Sequence, residues 1–222
     1  MGSLPQPRYG HAVVTLNNIG NYIIGGSGDS HNNRRTTSFL AQGSQQWEAG
    51  PAISANMWSP CAVAIRERSF LAIYGREIRE YEVNKEQPTS EAGWQEATKW
   101  PRLQTSRIWR PGCSLINGKV VIAGGWSNGA SISSTEVLDI ESRTIQYGED
   151  LATPRGFFHI VTIRTQGVER ALAMGGWDGS FSSLDSVEEF DPDTLTWNPA
   201  PANLLEGRGN HGAAALQKDL IC

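Results

Sequence analysis

The sequence predicts an all-β protein in which one unit of short strands is repeated along the chain, and three observations carry that prediction. Apolar runs end in glycine at Gly26 (YIIGG), Gly75 (AIYG), Gly125 (VIAGG) and Gly176 (LAMGG), at intervals of 49, 50 and 51 residues. An aromatic residue follows each of these by about 20 positions, at Trp47, Trp94, Tyr147 and Trp197. An apolar stretch opened by histidine or cysteine precedes each: HAVVTL from His11, CAVAI from Cys61, CSLI from Cys113 and HIVTI from His159, with HGAAAL from His211 starting once more. A pattern that returns at a fixed interval is architecture before it is a binding site.

Each unit parses into four strands. Strand A is the stretch after the histidine or cysteine, and strand B is the apolar run that ends in glycine. Strand C is a segment such as SSTEVLDI or DSVEEFD, whose alternation suits a half-buried strand. Strand D carries the aromatic. Asp191-Pro192-Asp193 reads as the turn from C to D, because proline fixes φ and aspartate bonds its own backbone. Glycine at the end of B permits positive φ and close approach of neighbouring sheets, and Trp197 is expected to pack between two of them. Nothing in the period looks helical. Four short strands per repeat of about 50 residues is what a blade of a β-propeller requires. The second repeat departs from the pattern: it has one glycine, a charged run (REIRE) where the B–C turn belongs, and a long KEQPTSEAG connection.

Bulk properties narrow the function. Of the 222 residues, 39% are hydrophobic and 19% charged, so a core can form. A net charge of -4 argues against a nucleic-acid or acidic-membrane partner. No apolar run approaches the roughly 20 residues that span a bilayer, and the N-terminus lacks a signal-peptide core. Three cysteines without paired spacing (Cys61, Cys113, Cys222) predict no disulfide framework and a reducing, cytoplasmic setting.

The spacing Arg…His…Gly-Gly…Asp-Pro…Trp resembles the kelch repeat over nearly the whole chain. The resemblance implies one kelch-type β-propeller across residues 1–222, with repeats at about 8–57, 58–106, 107–154 and 155–207 and a partial one at 208–222. Kelch-like propellers usually have more blades, which implies a piece of a larger protein or an incomplete ring whose open edges invite self-association. It also implies a protein-interaction module rather than an enzyme. A place as the substrate-recognition part of a ubiquitin ligase adaptor follows by analogy and would need a BTB domain.

In an antiparallel blade the B–C and D–A loops open on one side. Eleven of the nineteen basic residues fall in or beside these loops, and ten of the eleven are arginine. Arg8, Arg155 and Arg208 share a repeat position, which suits the tying-down of neighbouring carbonyls. Arg34, Arg35, Arg76, Arg107 and Arg110, with Trp58, Trp109, Trp126 and Trp177, form the candidate contact set, because guanidinium forks and aromatic anchors dominate interfaces. In kelch domains that read acidic peptides, contacts come from the aromatic after the glycine pair and from arginines before strand A. The matching positions are Trp126, Trp177 and Arg110, whereas the first two repeats have Ser27 and Arg76 in the aromatic slot. The expected partner is therefore a protein or acidic peptide.

Three other readings compete. A sugar-binding or sugar-active propeller would stack its ligand on Trp126 or Trp177, and Asp178 with Glu206 could supply acid and base. The copper-oxidase type of kelch-like enzyme needs a Tyr/His set with a crosslinking cysteine, which these residues do not assemble. A cytoskeletal scaffold would use the sides of the blades. His11, Cys61, Cys113, His159 and His211 occupy one slot near the start of strand A, a pattern that fits a structural histidine better than a metal ring. No cofactor, metal or catalytic residue is expected.

Overall fold

The structure, a computed structural model, describes residues 2–28, 35–165 and 167–215. The chain divides into two compact units, Met1–Arg110 and Pro111–Cys222. No α-helix forms among the described residues, and a 3-10 turn covers Glu91–Gly93.

In the first unit, β1 (Ala12–Leu16), β2 (Gly20–Ile24), β3 (Thr37–Ala41) and β4 (Glu48–Ala49) form a sheet in that order, every pair antiparallel. Its first strand, AVVTL, buries Ala12, Val14 and Leu16 and exposes Val13 and Thr15, as period-two side-chain geometry demands. A second sheet holds β5 (Cys61–Arg66), β6 (Ser69–Tyr74) and β7 (Glu77–Glu82). Here the charged run is not a loop. Tyr74 pairs with Glu77, so the B–C turn shrinks to Gly75-Arg76 and most of REIRE becomes strand C. The run can be a strand because both its faces are covered: Tyr81 joins the aromatic core, and on the opposite face Ile78 is buried and Glu80, 2% exposed, has its own partners. Lys99 Nζ lies 2.9 Å from Glu80 Oε2, and Trp100 Nε1 donates to the same oxygen at 2.8 Å. The fourth strand of this repeat is reduced to one bridge between Tyr81 and Trp94.

Tyr22, Phe39, Phe70, Tyr81 and Trp94 stack between these two sheets, with ring centroids 4.7–5.8 Å apart. The long connection makes this possible. Tyr22 Oη donates to the Pro88 carbonyl at 2.8 Å, and Tyr81 Oη lies 2.9 and 2.8 Å from the carbonyls of Pro88 and Ser90. Burial pushes the Tyr22 phenol well above its ordinary value and the Tyr81 phenol to about 12. Both raised values hold the neutral phenol in the folded state, so the unfolded chain gives up these protons first. The stabilisation is whole below the ordinary value of 10.0 and is lost as pH climbs past it toward 12. Urea midpoints measured from about pH 8 to about pH 11 should fall above about pH 10, and Tyr22→Phe should flatten the fall.

The second unit has two four-stranded sheets. One comprises β8 (Gly112–Ile116), β9 (Lys119–Ala123), β12 (Thr135–Asp139) and β13 (Ile145–Tyr147), in the order β13-β12-β9-β8. Within its B–C loop, β10 (Trp126–Ser127) and β11 (Ala130–Ser131) form a small hairpin. The other sheet runs β14 (His159–Thr165), β15 (Val168–Met174), β16 (Val187–Asp191) and β17 (Thr196–Pro199). Trp197 is buried in the cluster between the sheets, beside Val137, Ala171 and Phe190, and donates its indole N–H to Thr135 Oγ1 at 2.9 Å. The expected C–D turn is present: Asp191 Oδ1 accepts the N–H groups of Asp193 and Thr194 at 2.8 and 3.2 Å. Those bonds hold the Asp191 carboxyl below its ordinary value. No strand forms over residues 211–215, where another strand A was expected, because no strand pairs with that segment among the described residues.

The glycine pairs have a specific cause. The N–H groups of Gly26, Gly125 and Gly176 donate to the carbonyls of Met57, Arg155 and Arg208 at 2.8–2.9 Å. Each acceptor sits so close to the preceding glycine that a Cβ there would lie 2.1 Å (Gly25), 2.4 Å (Gly124) or 2.6 Å (Gly175) from it. The pair is therefore a docking notch for the next D–A loop.

Two sequence expectations change. Cys61 and Cys113 are each disulfide-bonded, against the expectation of unpaired thiols. Sequence spacing reports only on cysteines close along the chain, whereas a disulfide requires only that two Cα atoms come within about 7 Å in the fold. Their sulfurs are thus not thiolates available to a metal, and no group of three or more His, Cys, Asp or Glu suited to a metal occurs among the described residues.

Candidate functional site

Two kinds of arginine occupy the loops, and the backbone decides which is which. Arg155 is fully buried. Its Nη1 donates to the carbonyls of Gly175 and Ser186 at 2.8 and 3.0 Å, and its Nη2 reaches Ser186 Oγ at 2.9 Å and Glu188 Oε1 at 2.6 Å. Glu188 also accepts the Ala152 N–H at 2.7 Å. Arg8 repeats the arrangement in the first unit, bonding the carbonyls of Gly25 and Thr36 and the hydroxyls of Thr36 and Ser38. These arginines tie strand C to the glycine notch. Arg208, in the same slot, is half exposed and, among the described residues, bonds Glu206.

Arg107 belongs with the framework rather than with the contact set. Gly75 N–H donates to its carbonyl at 2.9 Å, just as Gly125 N–H donates to that of Arg155, and its side chain is 0% exposed. The sequence did not show this because the second repeat has an irregular D–A loop, which shifts the arginine along the chain without moving it in the repeat.

The remaining candidates fall in both units. In the first, Arg35 is exposed, with Nε 3.5 Å from the Ile53 carbonyl. Trp58 and Trp109 are half-buried and meet edge to face at 5.6 Å. Arg110 is half-buried, has positive φ (38°) and donates its N–H to Ser59. Arg34 lies outside the described residues. Arg76 opens onto a cleft of about 370 Å³ with Arg79, Arg102, Glu77, Tyr74 and Asn56. Arg76 spends Nε on the Leu103 carbonyl at 2.6 Å, and Arg79 grips Glu77 at 2.9 Å. Arg102 is exposed to solvent. Three guanidinium groups against one carboxylate leave the cleft cationic, a composition that recognises carboxylate or phosphate.

In the second unit, Trp126 is buried (4% exposed) on the β10–β11 hairpin, and Trp177 is half-buried, bridged to Gly156 and Ser183. Two phenylalanines that sequence reading passed over join them. Phe181 stacks on Trp126 at 4.9 Å and Phe157 on Trp177 at 5.0 Å. The only sequence signal was their placement, one in a Gly/Ser turn and one before strand A. Of the two carboxylates considered for acid–base work, Asp178 Oδ1 accepts the N–H groups of Ser180 and Ser182, and Glu206 is solvent-exposed beside Arg208.

The fold is one of repeated antiparallel blades whose strands form the framework and whose loops hold the arginines and aromatics described above. Residues 110–144 and 170–203 each match the family model of the Kelch motif. The chain thus carries two kelch motifs, and such motifs mark interaction modules in general. A search of curated proteins finds no match to the chain.

Proposed function

We propose that the protein binds an acidic peptide or protein segment through the loops of its first unit, with Arg76, Arg79 and Arg102 receiving carboxylate side chains. The observation that carries this reading is the cleft itself: three guanidinium groups, one exposed and one only partly engaged, converge where a single carboxylate faces them. Arg35 and Arg110, with the Trp58–Trp109 pair, would extend the contact along the same loops. Charge-assisted bonds of this kind contribute about 1.5–3 kcal/mol each.

The test is fluorescence polarisation with a labelled alternating Glu-Ser decapeptide. Reversing Arg76 and Arg102 together to glutamate is expected to weaken binding at least tenfold and to flatten its salt dependence. Unchanged affinity in that variant would sink the reading. A role as the substrate-recognition part of a ubiquitin ligase adaptor is a further step: the captured partner should be ubiquitinated more slowly when the cleft is reversed. A blade-side scaffold would not respond to either substitution.

A further inference from the structure

The second unit carries a surface of the opposite character. Trp126, Phe157, Trp177 and Phe181 form a continuous aromatic patch, with neighbouring centroids 4.9–6.5 Å apart. Trp126 is its floor and Phe181, 60% exposed, its outer face. Both phenylalanines have left-handed backbones, φ 55° at Phe157 and 60° at Phe181. Bulky side chains rarely adopt that conformation, and it costs about 1–3 kcal/mol. Folding alone does not explain two strained phenylalanines whose rings each contact both Trp126 and Trp177.

Charge decides what the patch would accept. The exposed or half-exposed charges in its loops are Glu149, Asp150, Asp178, Asp185 and Glu206 against Arg208. Arg155, the other basic residue there, is buried and neutralised by Glu188 at 2.6 Å. Asp178 stands beside Trp177 in the turn that carries Phe181, and Asp150 bonds Ser133 of the Trp126 loop at 3.0 Å. An acidic peptide would meet net repulsion here. Indole and phenyl faces attract a cation within about 6 Å, and surrounding carboxylates add to that attraction.

We propose that this aromatic patch receives lysine or arginine side chains of a basic protein segment, in loops distinct from those that hold the arginine cleft. The proposal stands or falls independently of the acidic-peptide reading, because the residues belong to different units.

The experiment titrates the full chain with an alternating Lys-Ser decapeptide and follows the Trp177 indole N–H by NMR. A saturable shift is expected. Phe181→Leu keeps an apolar side chain but removes the ring, and it should weaken binding about threefold or more, while Phe181→Trp should restore it. Acetylating the lysines should abolish the shift. The Trp197 indole N–H, bonded to Thr135, reports that each variant is folded. The proposal is overturned if the Lys-Ser peptide gives no shift at millimolar concentration, or if Phe181→Leu or acetylation leaves binding unchanged. It is equally overturned if Trp177 answers instead to the Glu-Ser peptide, or to an N-acetylglucosamine oligomer, the outcome a sugar-binding surface would give.

Discussion

Replacing Arg155 with alanine is expected to destabilise the second unit by about 3–5 kcal/mol, among the largest effects of any single substitution in the chain. The side chain is 0% exposed and makes four bonds, one of them to a glutamate that is itself 5% exposed. Its loss leaves the Glu188 carboxylate buried without its cation, and leaves the carbonyls of Gly175 and Ser186 short of a donor. An unpaired buried charge costs far more than the ion pair contributes, because desolvation of the carboxylate is no longer offset. Arg155→Met combined with Glu188→Leu should therefore recover much of the loss, since it removes both charges and keeps the volume. Urea unfolding followed by tryptophan fluorescence separates the two cases. If the single variant loses less than about 1 kcal/mol, the clamp is not what holds strand C to the notch.

Gly25→Ala is expected to cost about 3 kcal/mol. Left-handed backbone at φ 62° costs a non-glycine residue about 1–2 kcal/mol. The new methyl would also lie 2.1 Å from the Met57 carbonyl oxygen, which must move and so strain its bond from Gly26 N–H. Forced shifts of this kind add about 1–3 kcal/mol. Gly118→Ala is the control: φ is 73° but no atom lies within 4 Å of the added carbon, so only the backbone term applies. Equal losses at the two positions would show that crowding at the notch contributes nothing.

These two residues show what could be read before any coordinates. The glycine pair, the Asp-Pro turn and Trp197 were legible because each is a local or periodic requirement: positive φ, a capped turn, an aromatic between two sheets. The clamp role of Arg155 was legible for the same reason, since it recurs with Arg8. Arg107 was not, because an irregular loop hid its place in the repeat. The strand within REIRE was hidden by charge, since only a fold can supply Glu80 with Lys99 and Trp100 and so let it face inward.

The candidate sites were less legible than the framework. The sequence showed an excess of arginine in the loops, but not that Arg76, Arg79 and Arg102 line one cleft while the exposed charges in the loops of the second unit are mostly acidic. Phe157 and Phe181 gave no signal, for a phenylalanine in a loop is uninformative until another ring stands beside it.

By itself, then, the sequence determined the repeating unit of short strands, and where the glycine notch, the Asp-Pro turn and the Arg8 and Arg155 clamps fall. Those features depend on backbone conformation and side-chain alternation within some fifty residues. Only the tertiary structure decided which charges are neutralised in the framework and which remain for a partner. Burial and pairing depend on residues brought together from distant parts of the chain, and spacing along the sequence carries no record of them.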